Sequence, residues 1–350
     1  MEREKVFAMN KVGYKSHIDF IRIIAVLLVI TNHIDINYYF YHDTTSNITF
    51  LVSLFVTIMC LVDVPLFFMI SGALLLPRDE SLSYILKKRF SKIFAVLLIF
   101  SDFQYIILSL RGRIENQGVF DFIKRFCAGD IQEPYWFLYY YLGFLLVLPV
   151  LSTIAKTLKN ELFIFLFIIR LVLDLLVPYI TYVLGIEINM HITEPLNIIG
   201  SNTIYFLAGY YIENRIEVNK KNMCISLLVA IFALMISMTY IFYNYIEYGT
   251  INDEFISQLT FALTFLCYYM FKFFFQKVDS VIIRKIASCV FGVYLIESII
   301  RMVFLKTYKY FIRITPGIVG ALVYFILTAL TSFTISFLFK SILDRLKRNL

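Results

Sequence analysis

The sequence predicts an all-α polytopic membrane protein: one bundle of about ten transmembrane helices, with the N- and C-termini both cytoplasmic. Three observations predict it. Of the 350 residues, 60% are hydrophobic and only 16% charged, with a mean hydropathy of +0.78. A soluble domain of this length needs a charged, hydrated shell that such a composition cannot supply. The apolar residues fall into runs of about 20, the length a helix needs to cross the hydrocarbon. Lys and Arg gather in alternate connecting segments, the pattern that orients such helices.

Taken in order, the predicted spans are 18–36, 50–76, 92–110, 135–152, 162–184, 196–212, 223–244, 255–275, 288–305 and 316–339. The first follows 17 polar and basic residues. It is too long for a signal-peptide core and lacks a small-residue cleavage site, so it is expected to be a retained helix. Span 2 is interrupted by Asp63, Pro65, Ser71 and Gly72. Proline frees a backbone carbonyl, and Ser-Gly allows close approach by another helix or by a ligand, packing being the commoner use. Span 3 begins at the cation cluster LKKRFSK (86–92), and span 4 opens with the single tryptophan, Trp136. Arg170 and Asp174 in span 5 have the i,i+4 spacing of a helical ion pair. Span 6 is short and carries Asn197 and Asn202. Spans 7, 8 and 10 meet the length criterion without such features, and span 9 holds Glu297 and Arg301.

With a cytoplasmic N-terminus, the inside segments hold 22 Lys and Arg and the outside loops seven. Arg22, Arg170 and Arg301 lie within spans, which accounts for all 32. The outside loop 111–134 departs from the bias with four cations, but Glu115, Asp121, Asp130 and Glu133 bring it to neutrality. The net charge of +7 is thus spread over short loops, and nothing suggests a nucleic-acid partner. Five scattered cysteines, without metal-ligand spacing and odd in number, argue for small core residues rather than a disulfide framework or metal site. No repeat or linker divides the chain, so residues 1–350 are expected to form a single membrane domain. The last span ends eleven residues before Leu350, so no appended extracytoplasmic domain is expected.

The chemistry concentrates in IDFIRIIAVLLVITNHI (18–34). Eleven residues separate Arg22 from His33. At about 100° per residue this is three turns plus roughly 20°, so the two side chains leave one helix face, about 16 Å apart along the axis. Arg22 then sits near the cytoplasmic end and His33 near the outer one, with Asp19 at i−3 placed to pair with Arg22. Arginine grips phosphate with a planar fork. Histidine serves as a general base or accepts an acyl group. A donor with a phosphorylated head and a long thin arm, such as acyl-coenzyme A, would span both points. From spacing alone, a snorkelling arginine and a helix-packing histidine stand open beside this.

The R-x10-H pattern resembles the signature of the membrane acyltransferase-3 family. Four further landmarks match in order. VPLFFMISGALLL (64–76) resembles the family's second-helix block and KKRFSK (87–92) the basic cluster after it. YWFLYYYLGFLLVLP (135–149) resembles its Trp-Phe block, and FGVYLIE (291–297) its late-helix block. The resemblance runs from about 18 to 340. It implies transfer of a small acyl group, usually acetyl, from cytoplasmic acyl-CoA to a hydroxyl of an extracytoplasmic cell-surface or lipid-linked glycan, with no permanently bound cofactor. It makes His33 the catalytic candidate and Arg22 the donor-binding one. Lys88, Arg89 and Lys92 become candidates for the CoA phosphates, although a positive-inside anchor would also explain them. Many members end the late block in His where this chain has Glu297. Its expected partner is Arg301, at i,i+4.

Trp136 is read as an interfacial anchor, with sugar stacking as the alternative, and Asp19, Ser71, Trp136 and Glu297 complete the supporting candidates. Arg111 and Arg113 would meet lipid headgroups or an anionic acceptor. Whether His33 is a base or an acyl carrier stays open. The rival class is an exporter of glycan intermediates, which paired broken helices in the two halves would favour. A non-catalytic scaffold would leave the aligned Arg and His unexplained.

Overall fold

A computed structural model describes residues 15–34, 46–114, 117–177, 180–181, 184–186, 188–189, 200, 202–248, 259–314 and 317–349. The described residues are helical, with no strand among them. The elements are α1 (Ser16–Asn32), α2 (Asn47–Cys60), α3 (Asp63–Leu75), α4 (Leu82–Leu110, with a π-helical turn at Ile85–Phe90) and α5 (Val119–Ala128). They continue with α6 (Trp136–Thr157), α7 (Asn160–Leu171, running into a π-helical turn at Val172–Leu176) and α8 (Thr203–Asn214). The last are α9 (Lys220–Tyr248), α10 (Thr260–Phe275), α11 (Val281–Ala287), α12 (Val290–Ile314) and α13 (Gly317–Asn349).

Among the described residues, five helical stretches are long and apolar enough to cross a membrane: Asn47–Leu75, Leu82–Leu110, Glu133–Thr157, Lys220–Glu247 and Gly317–Arg345. The pair α11–α12, bent by 51°, makes a sixth if it is one span. This falls short of the ten predicted. The described parts of predicted spans 1, 5, 6 and 8 are shorter helices, and parts of each (35–36, 178–179, 196–199 with 201, and 255–258 among them) lie outside the described residues.

Several boundaries also differ. α12 continues to Ile314, so Lys306, Lys309 and Arg313 extend a helix where the charges had suggested a loop. The loop 111–134 contains α5, an amphipathic helix closed by Gly129 in the left-handed region (φ 73°). α4 starts ten residues before span 3 was expected, because Ser81 caps it by accepting from the Tyr84 N–H. Only Cys60 and Cys289 are core cysteines, whereas Cys127 and Cys224 are exposed.

α1 is the central strut. It packs against α2, α3, α10, α11, α12 and α13. Ile21 and Ala25 belong to one apolar cluster with α3, α8 and α10, and Val26, Val29 and Ile30 to a second with α4, α6, α12 and α13. A lipid-facing helix would need one buried stripe; α1 buries two.

The tightest crossing joins α3 to α8. A Cβ placed on Gly72 would fall 1.9 Å from the Phe206 carbonyl oxygen, and one on Gly209 the same distance from that of Met69. The Ser-Gly step of span 2 therefore serves helix packing, as small residues do in membrane bundles. Arg170 and Asp174 pair within α7 and its π-helical turn, as their spacing predicts.

Candidate active site

Five cations line one cavity. It has a volume of about 630 Å³, within the usual range for small-molecule sites. Arg22 comes from α1, Arg78 from the turn after α3, and Lys88, Arg89 and Lys92 from the first turns of α4. Among the described residues, no Asp or Glu belongs to the wall. Of the residues singled out from the sequence, Arg22, Ser71, Lys88, Arg89 and Lys92 meet at this cavity, and Arg78, which also lines it, was not among them. The π-helical turn Ile85–Phe90 carries Lys88 and Arg89, with Lys92 just after it, and such turns are frequent at functional sites.

Partners hold part of this array. Arg22 donates to Asp19 at 2.8 Å. Arg89 donates from Nε and Nη2 to both oxygens of Glu80, and Arg78 lies 3.6 Å from the same carboxylate. The Arg89 hydrogen bond holds the Glu80 carboxyl below the usual range, against a smaller opposing effect of burial. Lys88 and Lys92 are exposed and form no ion pair with any described residue. Away from the rim the wall is apolar and aromatic, with Phe67, Phe137, Leu138, Tyr141 and Tyr294 among its residues. Ser71 faces the cavity, but its hydroxyl donates back to the Phe67 carbonyl at 2.8 Å.

His33 lies beyond the wall. α1 ends at Asn32, so His33 is the residue that caps it, rather than lying some three residues inside the helix end. Its Nδ1 stands 2.8 Å from Oε1 of Glu297 on α12, whose side chain is fully buried. Arg301 donates from Nη1 to the His33 carbonyl at 2.6 Å, and its Nε lies 3.7 Å from the other Glu297 oxygen. The predicted Glu297–Arg301 pair is therefore present but loose, and histidine is the closer partner. Tyr324 of α13 in turn donates to the Arg301 carbonyl at 2.7 Å. A second carboxylate, Asp63, accepts from Asn32 at 3.5 Å beside the histidine.

A carboxylate that accepts from Nδ1–H fixes the proton there and leaves Nε2 with its lone pair. This is the arrangement in which imidazole takes a proton or attacks a carbonyl. Trp136 is not part of the cavity. It is 44% exposed and packs edge-on against Phe68 at 6.2 Å, which suits an anchor.

A basic cavity and an oriented histidine share one helix. A family model described as an acyltransferase domain matches residues 16–339, nearly the whole chain. The chain belongs to the membrane acyltransferase-3 family. No curated protein and no solved structure matches it. Membership of the acyltransferase-3 family accounts for the apolar helices and supports a membrane acyltransferase. It also accounts for the match starting at Ser16, the first residue of α1, the helix that carries both Arg22 and His33.

Proposed function

We propose that the protein transfers a small acyl group, acetyl in the first instance, from acyl-CoA to a hydroxyl of an extracytoplasmic surface or lipid-linked glycan. The observation that carries this is the cavity itself: a rim of five cations, three of them paired with Asp19 or Glu80 and two without an ion pair among the described residues, opening onto an apolar and aromatic interior beside the helix that His33 caps. The rim suits the phosphates of coenzyme A and the interior its thin arm. The bias of 22 inside cations to seven outside supports placing the rim at the cytoplasm and His33 toward the outer face of the cell membrane.

In the reaction the acceptor oxygen bonds to the acyl carbon and the carbon–sulfur bond breaks. The hydroxyl proton passes to Nε2 of His33 and from there to the departing CoA thiolate. Glu297 keeps the imidazole in the required tautomer and stabilises its charged form, as the carboxylate does in hydrolase triads. Arg22 holds the donor head. In a two-step variant Nε2 attacks first and carries the acyl group.

The test is to delete the gene, compare acylation of surface glycans by mass spectrometry, and restore it with the wild type or His33→Ala. Loss on deletion, with rescue by the wild type alone, supports the proposal. Unchanged acylation, together with glycan intermediates retained inside the cell, would make the protein an exporter instead.

A further inference from the structure

The cavity ends short of His33, and what closes it is a row of rings. Phe137 lies 5.9 Å from Phe67 and 5.7 Å, edge-on, from Tyr294. All three line the cavity together with Leu138, whereas neither His33 nor Glu297 does. Behind them, buried Val29 and Ile30 share one apolar cluster with Leu138 and Tyr294, and His33 follows within a turn. Tyr294 precedes Glu297 by three residues on α12, about 4.5 Å along the axis, and Glu297 holds His33. An arm running from the basic rim to His33 has to pass this row.

Tyr294 is the fixed member. Its hydroxyl donates to the Pro134 carbonyl, and Tyr135 donates in return to the Leu295 carbonyl at 3.1 Å. The two bonds clamp the turn before α6 onto α12, and Tyr294 is only 6% exposed. Phe67 and Phe137 carry no polar group to anchor them, so they move aside at lower cost.

Resting on the donor assignment above, we propose that Tyr294 is a specificity-determining residue. Its latched ring caps the deep end of the cavity and sets the width of acyl group that reaches His33, passing an acetyl-sized end and turning back an aromatic or branched one. Discrimination by a fixed apolar wall suits this purpose, since each added carbon that fails to fit costs roughly tenfold or more.

Two alkylating donors test it without needing the acceptor: bromoacetyl-CoA and 4-(bromomethyl)benzoyl-CoA. In each, an imidazole nitrogen of His33 bonds to the brominated carbon and bromide leaves. Modification of His33 in the purified full-length protein in nanodiscs is followed by peptide mass spectrometry, each rate being divided by that with free imidazole. The wild type is expected to prefer the acetyl probe by about tenfold or more. Tyr294→Ala should bring the two rates within about twofold, and Tyr294→Phe, which keeps the ring but loses the latch, should fall between. Acetyl-CoA binding measured on the same samples shows that the variants are folded. A wild-type protein without preference, or a Tyr294→Ala variant that keeps it, overturns the proposal. If CoA binds but His33 stays unmodified, this proposal falls while the donor site stands; if CoA does not bind at all, the donor assignment falls too.

Discussion

Nδ1 of His33 and Oε1 of Glu297 stand 2.8 Å apart, joined across 264 residues of sequence. The pair links the end of α1 to the third turn of α12, and the carboxylate has no exposure of its own. In the proposed mechanism Glu297 acts through the imidazole rather than on the substrate. Glu297→Gln keeps the shape but lacks the charge that favours imidazolium. It should lower kcat by about 10²–10⁴-fold, the range for losing an oriented acid–base partner, with little change in the KM for acetyl-CoA. A structural role alone would instead lower protein yield and leave kcat nearly unchanged. Steady-state kinetics on the purified protein separates the two.

Glu80 holds Arg89 and Arg78, two of the cations assigned to the donor in the proposed function. Because its carboxyl is held below the usual range by Arg89, it stays ionised throughout the neutral region. Its folded-state pKa is depressed, so the stabilisation from the pair is present above the unfolded pKa and lost as pH falls through the folded one. Glu80→Gln should free both guanidinium groups and tighten acetyl-CoA binding several-fold at neutral pH, at a stability cost of about 1 kcal/mol or less for a partly exposed pair. Isothermal titration checks the affinity and thermal melting the stability. Weaker binding would show that Glu80 orients Arg89 rather than blocks it.

The α3–α8 crossing predicts a packing contrast. Gly72→Ala puts a methyl group into the Phe206 backbone and should cost about 1–3 kcal/mol or more, read as a lower melting temperature in detergent. Gly143→Ala, on α6 with nothing within 4 Å, should be neutral or slightly stabilising. Equal effects would place the two helices further apart than described.

Orientation is tested in a background with Cys127 and Cys224 replaced. A membrane-impermeant maleimide applied from outside should label Ser46→Cys and spare Ser83→Cys, both positions being exposed. The reverse pattern would put the basic rim on the wrong side for cytoplasmic acyl-CoA.

What the sequence disclosed and what it hid divide along a physical line. Arg22 and His33 share one helix, and Lys88, Arg89 and Lys92 one segment, so local spacing and charge clustering exposed them. The His33–Glu297 contact was hidden, because α1 and α12 meet only in the tertiary fold, and the obvious i,i+4 partner of Glu297 was Arg301. Arg78 and Glu80 were hidden for the same reason, since a turn gives no periodicity to read. Charge also misled at α12: Lys306, Lys309 and Arg313 suggested an outside loop, but they ride on a continuous helix to Ile314. Composition and the length of the apolar runs carried the all-helical class; of the ten spans, five or six are long enough among the described residues, and parts of spans 1, 5, 6 and 8 lie outside them.

The most direct measurement compares donor binding and acyl transfer in two variants of the same purified protein. Arg22→Ala should weaken acetyl-CoA binding by roughly tenfold or more, as expected for losing a hydrogen bond to a charged group, and Arg22→Lys should restore only part of it, because a point charge lacks the planar fork. His33→Gln retains hydrogen-bonding capacity but cannot take up a proton at neutral pH. It should bind acetyl-CoA like the wild type and transfer no acyl group. Substantial transfer by His33→Gln would move the chemistry to another residue, and undiminished binding by Arg22→Ala would contradict the donor site.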